Sequence, residues 1–81
     1  MPIARHLNDQ LKRAASSIVL NLAEGAGRES PADQRKFYRI AFGSLRECQA
    51  IITLAGLDNS LFKQLDSIAA HLYKLIHSCR G

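Results

Sequence analysis

The sequence lacks the features that mark several classes of protein. It has two cysteines, Cys48 and Cys79, and their spacing is neither that of a metal site nor that of a CxxC motif. We therefore expect no metal, no cofactor and two free thiols in a reducing cytoplasm. Long apolar runs are missing as well, so we expect neither a signal peptide nor a contact with a membrane. Strand signals, repeats and linkers are nearly absent, which leaves a single domain over residues 1–81.

The charge of the chain is moderately positive. Eleven lysines and arginines stand against seven acidic residues, which gives a net charge of +4. This balance fits an RNA, DNA or acidic protein partner, although many proteins without such a partner carry a similar charge. A chain of 81 residues also forms a small core, so we expect it to be a homo-oligomer.

Helical periodicity dominates the first part of the chain. Apolar residues recur at steps of three and four, which places them on one helical face: Leu7, Leu11, Ala14, Ile18 and Leu22. The pattern predicts a helix over residues 3–25. We expect Gly25 and Gly27 to end it, because glycine readily adopts the left-handed conformation that closes a helix.

Two further helices follow after short connections. Ser30 followed by Pro31 is a helix start signal and Gly56 a stop signal, so the second helix is predicted over residues 31–55. An apolar face at the same spacing predicts a third helix over residues 59–79. Short connections favour antiparallel neighbours, and the predicted fold class is therefore an all-α, antiparallel bundle of three helices.

The second helix carries a cationic stripe opposite its predicted core face. Arg35, Arg39, Phe42 and Arg46 fall within about 60° of one another at 100° per residue. Three interpretations remain open. The stripe is a solvated face with one stray phenylalanine, an RNA surface on which the aromatic ring stacks on a base, or part of an oligomer interface. We favour the interface, formed by Tyr38, Phe42 and Leu45.

Polar residues of the first helix flank its apolar face. Ser17, Asn21 and Glu24 are among them, and half-buried polar groups need hydrogen-bond partners. We expect the partners on the second helix, where the candidates are Ser44, Arg46 and Glu47.

Signals for catalysis are weak. His71 and His77 stand six residues apart, which is not the spacing that brings two ligands to one side of a helix. Ser16 and Ser17 lack an adjacent base that would activate either hydroxyl. We therefore expect no catalytic residue, and we expect that the protein is not an enzyme.

Three stretches resemble a known family. They are Gln10-Leu11-Lys12-Arg13-Ala14-Ala15-Ser16-Ser17-Ile18, Asn21-Leu22-Ala23-Glu24-Gly25 and Ile40-Ala41-Phe42-Gly43-Ser44-Leu45-Arg46-Glu47. In order and separation they resemble the four-helix-bundle family of 23S rRNA intervening-sequence proteins. The accessory variability determinant of diversity-generating retroelements looks like a branch of that family. The resemblance extends over roughly Leu7 to Ile76.

The resemblance implies a ring-like homopentamer that binds RNA or DNA through a basic surface. In the retroelement branch the ring also binds a reverse transcriptase. The motif positions that would shape the bundle and its interfaces are Asn21, Glu24, Gly25, Gly43, Ser44 and Glu47. The side chains that would contact nucleic acid are Lys12, Arg13, Arg28, Arg35, Lys36, Arg39 and Arg46.

One departure from the family pattern concerns the start of the chain. Family members carry an additional helix before the region of Gln10, whereas this sequence starts almost there. The chain is then a short form without the first helix or a form with a trimmed start, and the face left open should bind another subunit or a partner. The leading hypothesis is a non-enzymatic, oligomeric nucleic-acid-binding adaptor, a candidate accessory subunit of a retroelement reverse transcriptase. The alternative is a structural or protein-interaction module whose charge is incidental.

Overall fold

The computed structural model describes residues 4–79, which form three α-helices. These are α1 (Arg5–Ala26), α2 (Pro31–Ala55) and α3 (Asn59–Ser78). The all-α prediction is confirmed, and the bounds of α2 are those predicted. The predicted first residue of α1, Ile3, lies outside the described residues, as do the two ends of the predicted domain. None of the three helices is long and apolar enough to cross a membrane.

Helix α2 is the central element of the fold. It packs against both α1 and α3, whereas α1 and α3 make no backbone approach to each other anywhere in residues 4–79. The radius of gyration is 13.6 Å, and a compact domain of this length would have about 12 Å. The arrangement is therefore open, with α1 and α3 on two sides of α2.

Local signals explain where α2 and α3 begin. The Ser30 side chain accepts a hydrogen bond of 3.4 Å from the Asp33 N–H, and Pro31 occupies the first turn, where no N–H donor is needed. The Asp58 carboxylate accepts a bond of 3.0 Å from the Ser60 N–H and so caps α3. This backbone hydrogen bond, together with one from the Ser60 hydroxyl, lowers the pKa of Asp58 below its usual value.

The glycines near the end of α1 act differently from the prediction. The predicted left-handed stop is wrong for both, because Gly25 is a helical residue within α1 and Gly27, the C-cap, has φ −87°. Gly56 is the one glycine in residues 4–79 with positive φ, 67°, and it closes α2 as predicted. Gly25 is needed for another reason. A Cβ built there would lie 2.6 Å from Cε1 of Tyr38, so only glycine lets α2 approach α1 this closely.

The buried face of α2 is wider than the sequence suggested. Tyr38 is 7% exposed and Leu45 is 0% exposed within the single chain, so the prediction that these two form an oligomer interface is wrong. The physical reason is that α2 has a neighbour on each side, which buries a second arc of its surface. Ile40, on the same helix, is 43% exposed.

Candidate nucleic-acid interface

A groove between α2 and α3 contains part of the predicted cationic stripe. Phe42 and Arg46 line it from α2. The lining from α3 consists of two small residues and three larger ones, namely Ala69, Ala70, Asp66, Tyr73 and Lys74. We call it the cationic groove, because Arg46 and Lys74 carry two positive charges and Asp66 one negative charge.

Arg46 is held in place across this groove. Its Nη1 donates to Oε1 of Gln49 at 2.6 Å and to Oδ1 of Asp66 at 3.1 Å. Its guanidinium carbon also lies 5.2 Å from the centroid of the Phe42 ring, within the range of a cation–π contact. The ion pair with Asp66 is half exposed, so water weakens it and an anion can compete for the guanidinium.

The other two arginines of the stripe lie towards the end of α3. Arg35 Nη1 donates to the backbone carbonyl of Cys79 at 3.0 Å, which ties the start of α2 to the end of α3. Arg39 is exposed, and no ion pair or hydrogen bond involves its side chain among the described residues. The stripe therefore contains two arginines with structural contacts and one that faces solvent.

The remaining predicted nucleic-acid contacts lie elsewhere. Arg28 lies 4.8 Å from the Phe37 ring centroid and Lys36 lies 5.8 Å from the same ring. Arg28 also forms an exposed ion pair of 2.9 Å with Glu24. Two further cations, Lys12 and Arg13, are exposed on α1. The structure thus separates the predicted set of cations into several surfaces.

The motif residues form a small hydrogen-bond network between α1 and α2. The Ser44 hydroxyl donates to the Ser17 hydroxyl at 2.7 Å, and Asn21 Nδ2 donates to the same oxygen at 3.1 Å and to the Ser17 carbonyl at 2.8 Å. This part of the network lies where it was predicted. Arg46 was expected to form a hydrogen bond to α1, but it donates to Asp66 of α3 instead. Glu24 accepts a hydrogen bond from Arg28, which lies only four residues further along the chain.

Two motif positions lie outside this network. Glu47 is exposed, and Gly43 is exposed with open space where a Cβ would be. The Glu47 side chain forms no hydrogen bond or ion pair within residues 4–79.

A second groove lies between α1 and α3 and is almost entirely apolar. Its lining consists of Leu22, Ile68, His71, Leu72 and Leu75. Ile68 and Leu75 are each nearly half exposed although they are large apolar side chains. We call this the apolar groove. It lies on the other side of α3 from the cationic groove.

The two thiols are not bonded to each other. Cys48 is buried, and burial, with a smaller contribution from Glu47, raises the pKa of its thiol. A thiol with a raised pKa is a poor nucleophile near neutral pH. No three potential metal-ligating side chains come together in residues 4–79.

Sequence reasoning missed the α3 side of the cationic groove. Asp66, Tyr73 and Lys74 gave no motif of their own. A signal was available, because an antiparallel α3 after a short connection places residues 66–77 opposite the cationic stripe of α2. Tyr73 was the one aromatic residue in that segment.

The fold and its two grooves define the class of protein: an all-α helical bundle with a cationic groove on one side and an apolar groove on the other. A family model described as 23S rRNA-intervening sequence protein matches residues 4–78. The chain belongs to this family. Searches of curated proteins and of solved structures gave no match.

Proposed function

We propose that this protein is a non-enzymatic, oligomeric adaptor that binds nucleic acid, with RNA as the first ligand to test. The observation that carries the proposal is the cationic stripe of α2, in which Arg35, Arg39 and Arg46 share a face with Phe42. Guanidinium groups bind phosphate in bidentate fashion, and an aromatic ring offers a face to a base. Arg39 supports the proposal most directly, because its charge faces solvent.

Reversing the charge of Arg39 should weaken RNA binding. We expect Arg39→Glu to lower the affinity for a labelled structured RNA and to reduce the slope of log affinity against log salt by about one, since each neutralised phosphate releases counterions. Fluorescence anisotropy across a salt series measures both quantities. Arg39→Glu should fold normally, because the Arg39 side chain makes no hydrogen bond or ion pair among the described residues.

Arg5→Glu is the matched control for this experiment. Arg5 is exposed at the start of α1, and its reversal changes the net charge by the same amount. We expect it to affect RNA binding less than Arg39→Glu does. Equal effects of the two variants would mean that total charge, and not the stripe, attracts RNA. Wild-type protein that binds no RNA at low salt would contradict the proposal outright.

The apolar groove supports the oligomeric part of the proposal. Ile68 and Leu75 leave apolar surface in water, and burying it stabilises an assembly by about 25 cal/mol per Å². We propose a second copy of this chain as the occupant. The lining of the groove contains no Asp, Glu, Lys or Arg, so two chains of net charge +4 can meet there without bringing such side chains of like charge together. The resemblance implies a pentamer as the closed form.

Introducing a charge into the apolar groove should dissociate the oligomer. We expect wild-type protein to sediment as an oligomer and Leu75→Asp to sediment as a smaller species, because an unpaired carboxylate in an apolar interface is strongly unfavourable. The control is Leu20→Asp, on α1 and outside the groove. Analytical ultracentrifugation across the micromolar range measures both. A monomeric wild-type protein, or equal dissociation by both variants, would contradict the assignment of this groove.

A protein-interaction module without a nucleic-acid role is the second candidate, and the half-exposed apolar groove is the observation that favours it. It predicts that Leu75→Asp changes assembly while Arg39→Glu changes nothing measurable. A reverse transcriptase is the protein partner that the resemblance to the accessory variability determinant implies. A reverse transcriptase gene next to the gene of this protein would support that part of the proposal.

A further inference from the structure

The cationic groove combines features that suit one kind of ligand. We propose that it binds a single unpaired RNA nucleotide, whose base stacks on the Tyr73 ring near Phe42 and whose phosphate contacts Lys74 and Arg46. This inference rests on the proposed function and deepens it, because it names a subsite and distinguishes unpaired nucleotides from duplex. The four side chains come from two helices, and α3 contributes half of them.

The groove has room because its floor is made of small side chains. Ala69 is buried beneath it and Ala70 lines it, so no side chain longer than a methyl group extends between Phe42 and Tyr73 from this part of α3. The groove has a volume of about 360 Å³, which lies within the range of small-ligand sites. A flat base can enter such a space, whereas a base inside a duplex is covered on both faces by its neighbours.

The aromatic lining provides the stacking surface. Tyr73 is 56% exposed, and its ring centroid lies 4.1 Å from that of His77, so the histidine supports the tyrosine from the side of the last turn of α3. Phe42 lies on the α2 side and is covered by the Arg46 guanidinium. Stacking of bases on exposed aromatic rings is a principal source of affinity for single strands, and it tolerates any base.

The charged lining fits the polar parts of a nucleotide. Lys74 and Arg46 are suited to the phosphate, and the weak, half-exposed ion pair of Arg46 with Asp66 can open for it. The Asp66 carboxylate accepts hydrogen bonds only, and exocyclic amino groups of bases are donors of the kind that carboxylates bind. The negative charge of Asp66 also lowers the affinity of the groove for a continuous phosphate backbone, which is the surface that a duplex presents.

The test compares an unstructured ten-nucleotide RNA with a duplex that contains the same sequence, both labelled for anisotropy. We expect Tyr73→Ala to weaken binding of the single strand by about 5- to 150-fold, as for loss of one stacked base. Tyr73→Phe, which retains the ring, should bind like the wild type. Ala70→Leu should also weaken single-strand binding, because it fills the groove without changing the charge. None of the three variants should change the affinity for the duplex.

Each outcome bears on a different statement. Unchanged single-strand binding by Tyr73→Ala would overturn the subsite while leaving the proposed function intact, since the wild type would still bind RNA. An equal loss of single-strand and duplex binding would also overturn it. A polyglutamate peptide serves as a competitor. If it displaces the labelled single strand as effectively as unlabelled single strand does, the cationic groove is a site for acidic protein segments instead. If the wild-type protein binds neither the single-stranded RNA nor the duplex, the proposed function itself is overturned.

Discussion

Replacing Leu45 by alanine is expected to lower the free energy of unfolding by about 2–5 kcal/mol. Leu45 is 0% exposed and is one of the two largest fully buried side chains among the described residues. The substitution removes buried methyl groups and leaves a cavity, which adds to the loss of buried apolar surface. Urea denaturation followed by circular dichroism at several protein concentrations measures the change.

Leu54 provides the matched control for Leu45. It lies on the same helix and is 75% exposed, so Leu54→Ala makes the same chemical change without creating a cavity. We expect its effect to stay within about 0.5 kcal/mol. A small effect of Leu45→Ala, comparable to that of Leu54→Ala, would contradict the assignment of Leu45 to the core. Such a result would favour the oligomer interface that the sequence predicted for Leu45.

The second large effect is expected at Gly25. A Cβ there would lie 2.6 Å from the Tyr38 ring, and overpacking of this kind costs about 1–3 kcal/mol. The higher helix propensity of alanine offsets at most about 1 kcal/mol of this. We therefore expect Gly25→Ala to destabilise the protein by about 1–2 kcal/mol. The same denaturation experiment measures it.

Gly43 gives a control of opposite sign. It lies within α2, and nothing is within 4 Å of the position where its Cβ would be. Gly43→Ala should therefore stabilise the protein by about 0.5–1 kcal/mol, because alanine is the better helix former and finds open space. If Gly25→Ala also proved stabilising, the close approach of α1 and α2 at Tyr38 would be wrong. Destabilisation by Gly43→Ala would instead indicate that a partner covers this surface.

The sequence was informative wherever a structural feature depends on neighbouring residues. Ser30, Pro31 and Gly56 determine the ends of α2 through hydrogen bonds and backbone conformations that involve only a few adjacent positions, and both ends were predicted correctly. The Ser17 and Ser44 contact was also foreseen in part, since two polar residues at the edge of a core must find partners.

The sequence was less informative where a feature depends on how the helices pack. Periodicity alone does not reveal that α2 has two neighbours, so Tyr38 and Leu45 were predicted to lie in an oligomer interface, although both are buried within the single chain. The same limitation hid Tyr73, because its significance arises from Phe42 on another helix. Gly25 was interpreted as a helix stop because glycine is common at helix ends. Glycine is also found where two helices approach closely, and the sequence alone does not distinguish the two cases.

The central position of α2 has a consequence for how the molecule can come apart. Because the backbones of α1 and α3 do not approach each other within residues 4–79, α3 is attached to the rest of the molecule mainly through α2, and its detachment would also uncover Leu22 of α1. Arg35, Arg46 and Gln49 of α2 donate three side-chain hydrogen bonds that oppose this separation, two of them to α3 and one to the carbonyl of its C-cap residue. A ligand that contacts both α2 and α3 in the cationic groove adds a further interaction between the two helices. Occupancy of the cationic groove and attachment of the last helix are then thermodynamically linked, and each strengthens the other.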